Sequence, residues 1–84
     1  MTAPLRTIRD AWASYRTAVL RGDAPPVQIV ETRRAFYAGA QALLGIILAN
    51  LTPGDEPAAA DFELMDKLHS ELLAFGGSVK EGRA

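Results

Sequence analysis

Arginine next to aromatic side chains is the chemically suggestive pattern in this chain. Arg33 and Arg34 stand one helical turn before Tyr37, and Arg9, Trp12 and Arg16 recur at spacings of three and four, with Tyr15 adjacent. A guanidinium forks onto the oxygens of a phosphate or carboxylate, while an indole or phenol ring stacks on a flat base. Arg33, Arg34, Tyr37, Trp12, Arg9 and Arg16 are therefore the expected ligand-binding residues. The competing reading makes Trp12, Tyr15, Phe36 and Tyr37 core residues with wet tips, flanked by solvated arginines.

Other chemistries are poorly supplied. His69 is the sole histidine and Cys is absent, so no histidine pair, disulfide or Cys-built zinc site can form within one chain. Asp66 and His69 are three apart, but a di-metal bundle needs a second such pair and further carboxylates. Ser14, Ser70 and Ser78 lack a nucleophile-elbow setting, and Gly39 and Gly45 fall inside a helical pattern rather than in a phosphate-binding loop after a strand. Neither an enzyme nor a bound metal or cofactor is expected.

Three helices must position these residues, over about 3–21, 26–51 and 57–75. The first is expected to take Thr2 as cap and Pro4 in its first turn, with Leu5, Ile8, Trp12, Tyr15 and Val19 as one apolar stripe. Gly22 is the expected stop, and Asp23-Ala24-Pro25-Pro26 a stiff connector that places Pro26 at the start of the second helix. Thr52-Pro53-Gly54-Asp55 reads as a turn and Pro57 as the opening of the third helix. There Phe62, Met65, Leu68, Leu72 and Phe75 are the expected inner stripe, Glu63 and Lys67 pair outside, and Gly76-Gly77 ends the helix. Residues 1–77 then form one helical domain and 78–84 a flexible tail.

The second helix is unusual in having no polar side. At a turn of about 100° per residue, Ile29, Phe36, Ala40, Leu43 and Ile47 share one direction. Val30, Tyr37, Leu44, Leu48 and Leu51, with Gln41, share a second. Ala35, Ala38, Ala42, Gly45 and Ala49 form a third row made only of small residues. Two neighbouring helices cover two faces, which leaves the small-residue row to meet a second copy of the same helix. The expected fold is thus all-α, a three-helix chain built on a long central helix and assembled as a helical-bundle homo-oligomer. Self-association also suits a 9.0 kDa chain with no covalent staple. Residues 35–51 reach the lower limit for a membrane span, but Gln41 and the amphipathic helices on either side argue against insertion.

Net charge is −1, so extended nucleic acid is not an expected partner. The charge is uneven: residues 1–42 carry six arginines against Asp10, Asp23 and Glu31, a balance of +3, and residues 43–84 carry three basic residues against seven acidic ones, −4. The N-terminus MTAPLRTIRDAW lacks the apolar core of a signal peptide, so secretion is not expected.

The spaced Trp12 and Tyr15, then VQIVETRRAFYAGAQALL (Val27 to Leu44), then MDKLHSELLAF (Met65 to Phe75), resemble small accessory proteins encoded by tailed phages and prophages. The resemblance covers about residues 12–75, and Arg33 to Ala40 is its most specific part. It implies a setting, the cytoplasm of an infected or lysogenic bacterium, rather than a mechanism. Small phage proteins without enzymatic signatures often counter host defences, some as helical oligomers that sequester cyclic nucleotide or ADP-ribose-like signals. The expected function is sequestration of such a phosphorylated signal by a non-enzymatic oligomer. The alternative is a helical inhibitor or adaptor covering a host defence enzyme, as anti-CRISPR-type proteins do, using the acidic Asp61, Glu63, Asp66 and Glu71.

Overall fold

The computed structural model describes residues 4–51, 54 and 58–84. Three helices follow one another, α1 (Ile8–Val19), α2 (Pro26–Asn50) and α3 (Ala59–Lys80), and no strand occurs among the described residues. The all-α, three-helix expectation holds. The chain divides into two compact units, Met1–Gly45 and Ile46–Ala84.

Each helix end has a local cause. The start expected at residue 3, with Thr2 as cap, is replaced by a start at Ile8 (Thr2 itself lies outside the described residues). Thr7 is the cap: its backbone is extended and its Oγ1 accepts the Asp10 N–H at 3.0 Å. Thr7-Ile8-Arg9-Asp10 carries a hydroxyl and an acid three residues apart, the pattern of a capped N-terminus, and Asp10 also faces the positive end of the helix dipole. At the other end α1 stops before Gly22. Leu20 turns extended, the Ala24 N–H closes a turn onto the Arg21 carbonyl at 3.1 Å, and Arg21 pairs with Asp23 at 3.3 Å.

Pro26 opens α2 as expected. The Pro25 carbonyl accepts the Gln28 and Ile29 N–H groups, and Pro26 at the first helical position loses no bond by having no N–H. Of the expected turn between α2 and α3, Thr52, Pro53 and Asp55 lie outside the described residues, as does Pro57, while Gly54 takes φ 130°, open only to glycine.

Ala58 caps α3. Asp61 Oδ2 accepts the Ala58 N–H at 3.0 Å, half of a reciprocal cap, since alanine has no side-chain oxygen to return the bond. Gly76 and Gly77 do not end this helix. An interior glycine costs only about 1 kcal/mol relative to alanine, too little to break a helix that is well closed further on. The closure comes at Gly82, with φ 76°: its N–H reaches the Val79 carbonyl and the Arg83 N–H reaches the Ser78 carbonyl, the paired bonds of a Schellman motif. Residues 78–80, expected as tail, are thus the last turn of α3.

Burial is sparse. Trp12 is the one buried apolar side chain among the described residues, and Asp61 the one buried polar one, each 6% exposed. On α2 the least exposed line is Ile29, Thr32, Phe36, Ala40 and Ile47, close to the first bulky face of the sequence pattern. From the second face, Val30, Leu44, Leu48 and Leu51 are exposed, and so are all five small residues, Ala35, Ala38, Ala42, Gly45 and Ala49. On α3 the expected inner stripe is mostly outward: Phe62, Met65, Leu72 and Phe75 are exposed, and the sheltered line is Asp61, Leu64 and Leu68. The apolar arc of α3 spans about half its circumference, so periodicity alone does not select which edge turns in.

No helix of the described residues is long and apolar enough to cross a membrane.

Candidate functional site

Within the unit Met1–Gly45, α1 meets the first half of α2 through aromatic rings. Phe36 lies 5.6 Å from Trp12 and 5.2 Å from Tyr15 by ring centroids, and Trp12 lies 6.1 Å from Tyr15. Tyr37 extends the group edge-on to Phe36 at 6.3 Å. These separations suit the tilted and edge-on contacts that aromatic pairs prefer.

Beside this cluster is an open groove of about 640 Å³, lined by Trp12, Arg16, Ile29, Val30, Arg33, Arg34 and Tyr37. Five of the six residues singled out in the sequence share it. Arg9 is the sixth; it is exposed on α1 and does not line the groove. The apolar walls, Ile29 and Val30, escaped the sequence reading although the signal was present. Each precedes a groove arginine by four residues, and Arg33 precedes Tyr37 by four, so these side chains stack along one side of α2.

The three arginines have different local partners. The Arg33 guanidinium carbon sits 5.3 Å from the Tyr37 ring centroid, a cation–π contact that steadies the head beside the groove. Arg34 Nη1 pairs with Glu31 Oε1 at 3.6 Å, with both side chains well exposed. Arg16 makes no ion pair among the described residues. A pair as open as Arg34–Glu31 contributes about 0–1 kcal/mol, so it holds the Arg34 guanidinium only weakly.

Trp12 lines the groove and is also the buried residue of the aromatic cluster. Its ring is buried against Tyr15 and Phe36, which also contact each other at 5.2 Å, so little of it is open to stacking. The indole N–H makes no hydrogen bond within the described residues, where no buried side-chain donor lacks a partner, so that N–H keeps access to solvent. Tyr37 is half-buried with Arg33 against its ring, and it is the aromatic surface best placed to meet a flat ligand. No protein-family model, curated protein or solved structure matches the chain.

The groove is lined by donors: three guanidinium groups, with the Tyr37 hydroxyl able to act either way. Glu31, the nearby carboxylate, is held by Arg34. Such a lining is chemically suited to acceptor-rich anions. Asp66 and His69 are both exposed on α3, and the described residues contain no group of three or more His, Cys, Asp or Glu placed to hold a metal.

Proposed function

We propose that this chain is a non-enzymatic, phage-encoded anti-defence protein that captures a small phosphorylated nucleotide, of the cyclic nucleotide or ADP-ribose kind, and withholds it from a host sensor in the bacterial cytoplasm. The observation that carries the reading is the convergence of Arg16, Arg33 and Arg34 from two helices onto one groove with apolar walls and the Tyr37 ring. Guanidinium forks would hold the phosphates, Ile29 and Val30 would shelter the sugar, and Tyr37 would meet the base. The test is thermal unfolding against a panel of cyclic dinucleotides, cyclic trinucleotides and ADP-ribose isomers. A ligand at a hundred times its dissociation constant stabilises the folded state by about 2.7 kcal/mol, which in a chain this small raises Tm by roughly 10 °C or more. No shift with any member at millimolar concentration would remove the reading.

Self-association belongs to the same proposal, through the exposed row Ala35, Ala38, Ala42, Gly45 and Ala49. A Cβ at Gly45 meets no atom within 4 Å in the chain, so Gly45→Leu leaves the protomer unstrained and tests only what packs against it. Light scattering should show a smaller assembly for Gly45→Leu, since bulk forced into a close-packed contact costs about 1–3 kcal/mol. An unchanged mass would free that row from any contact.

The second reading, an inhibitor or adaptor of a host defence protein, is favoured by one observation. α3 exposes a broad apolar surface including Phe62, Leu72 and Leu73, bordered by Glu63, Asp66 and Glu71. Contiguous exposed apolar surface of this kind marks a protein contact.

A further inference from the structure

Six exposed residues of α3 follow a seven-residue repeat. Phe62, Met65, His69, Leu72, Gly76 and Val79 alternate spacings of three and four along the helix, and all six are exposed in the chain. That alternation has the period of a two-helix coiled-coil seam, apolar except at His69 and Gly76, and it runs from Phe62 to Val79. It lies apart from the sheltered line of Asp61, Leu64 and Leu68, so it is available to a partner.

We infer that α3 pairs in antiparallel fashion with α3 of a second copy of this chain. This stands independently of the ligand reading and of the small-residue row on α2. Three observations select a second copy in that orientation. The first is size. Antiparallel pairing sets Phe62 opposite Val79 of the other copy, Met65 opposite Gly76, and His69 opposite Leu72, so Phe62 and Met65 each meet a smaller residue. A parallel pair would set the two Gly76 positions against each other and leave a void. The space beside Gly76 is open, with nothing within 4 Å of an added Cβ, and a flexible Met65 side chain suits such a gap.

The second observation is charge. Asp66 and Lys80 flank the same side of the seam, near opposite ends. Helical side chains lean toward their own N-terminus, so in an antiparallel pair Asp66 of one copy and Lys80 of the other lean toward each other, twice by symmetry. The third is the exposed Leu73, which lies between them on that flank and closes it over its own symmetry mate. The pairing also accounts for Gly76, kept inside a helix that gains nothing from it locally. Each helix dipole then runs against the other, which is the favourable arrangement.

The chain has no cysteine, which makes single thiols unambiguous. Phe62→Cys and Val79→Cys, mixed in equal amounts and treated with a short bismaleimide, should give mainly the mixed cross-linked dimer. In the antiparallel pair the two Phe62 positions lie about 25 Å apart at a 1.5 Å rise per residue, so Phe62→Cys alone should not link to itself. Leu72→Glu should lower the mass seen by light scattering, while Ser70→Glu, on the polar side, should not. In a Gly45→Leu background the mixed cross-link should persist; its loss would assign the contact to α2. Self-linking of Phe62→Cys would overturn the orientation. Absence of the mixed product, or an unchanged mass for Leu72→Glu, would overturn the pairing itself.

Discussion

Trp12→Ala is expected to lose most of the stability of the unit formed by α1 and the first half of α2. Trp12 is the buried apolar residue there, and Tyr15 and Phe36 pack directly on its ring. Truncating a buried tryptophan to alanine typically costs about 3–5 kcal/mol through lost burial and the cavity left behind. A domain of this size holds only about 5–15 kcal/mol in total, and each kilocalorie moves Tm by roughly 4–8 °C. The melting point should therefore fall by roughly 15 °C or more, or the cooperative transition should disappear. Tyr15→Ala, at a more exposed ring in the same cluster, should cost clearly less. Circular dichroism measures both. As Trp12 is the sole tryptophan, its fluorescence reports this site alone and should be blue-shifted in the folded chain relative to the unfolded one. A shift in Tm of only a few degrees for Trp12→Ala would mean that the aromatic cluster does not organise the unit.

The same residue shows how far the sequence could be read. The helix through Ile8, Trp12 and Tyr15 was legible because a 3.6-residue period leaves few other structures for it. Of the stripe Leu5, Ile8, Trp12, Tyr15 and Val19, however, only Trp12 is buried, and Leu5 precedes the helix. Pro25-Pro26 marked the start of α2 through the missing N–H of proline. Helix ends were less legible where two signals competed. Thr2 and Thr7 are both possible caps, and only Thr7 has an acid three residues on; Gly76, Gly77 and Gly82 are all possible stops, and only Gly82 takes the positive φ that closes the ladder. The site was legible as residue types but not as roles. Arginine and aromatic spacing brought five residues to one groove, yet the same spacing does not say that Phe36 and Tyr15 pack against Trp12 and bury it. Burial of a ring depends on what the other helix presents, and that is tertiary information. The inward line of α3 was illegible for a related reason: eight large apolar residues spread over half a helix allow more than one packed edge.

Arg33→Ala combined with Arg34→Ala is expected to abolish capture of a phosphorylated ligand while leaving the fold intact. The two heads stand on adjacent positions of α2 at the groove, one steadied on Tyr37 and the other held loosely by Glu31. A hydrogen bond to a charged group contributes about 1.5–3 kcal/mol, so losing two such contacts removes about 3–6 kcal/mol of binding. At about 1.4 kcal/mol per tenfold, affinity should fall roughly a hundredfold or more. The stability terms are small by comparison: about 0–1 kcal/mol for the exposed ion pair and about 0.5–1 kcal/mol for the exposed cation–π contact. Helical content should be unchanged and Tm lowered by no more than several degrees. Lysine at both positions should rescue only part of the affinity, because it restores charge without the planar fork. Calorimetry with the nucleotide that gives the largest thermal shift separates the outcomes. Wild-type affinity in the double alanine variant would move the phosphate contacts off α2 and leave Arg16 and Arg9 on α1 to make them. A large fall in Tm, with no ligand found for the wild type, would make the two arginines structural and put the protein-inhibitor reading ahead.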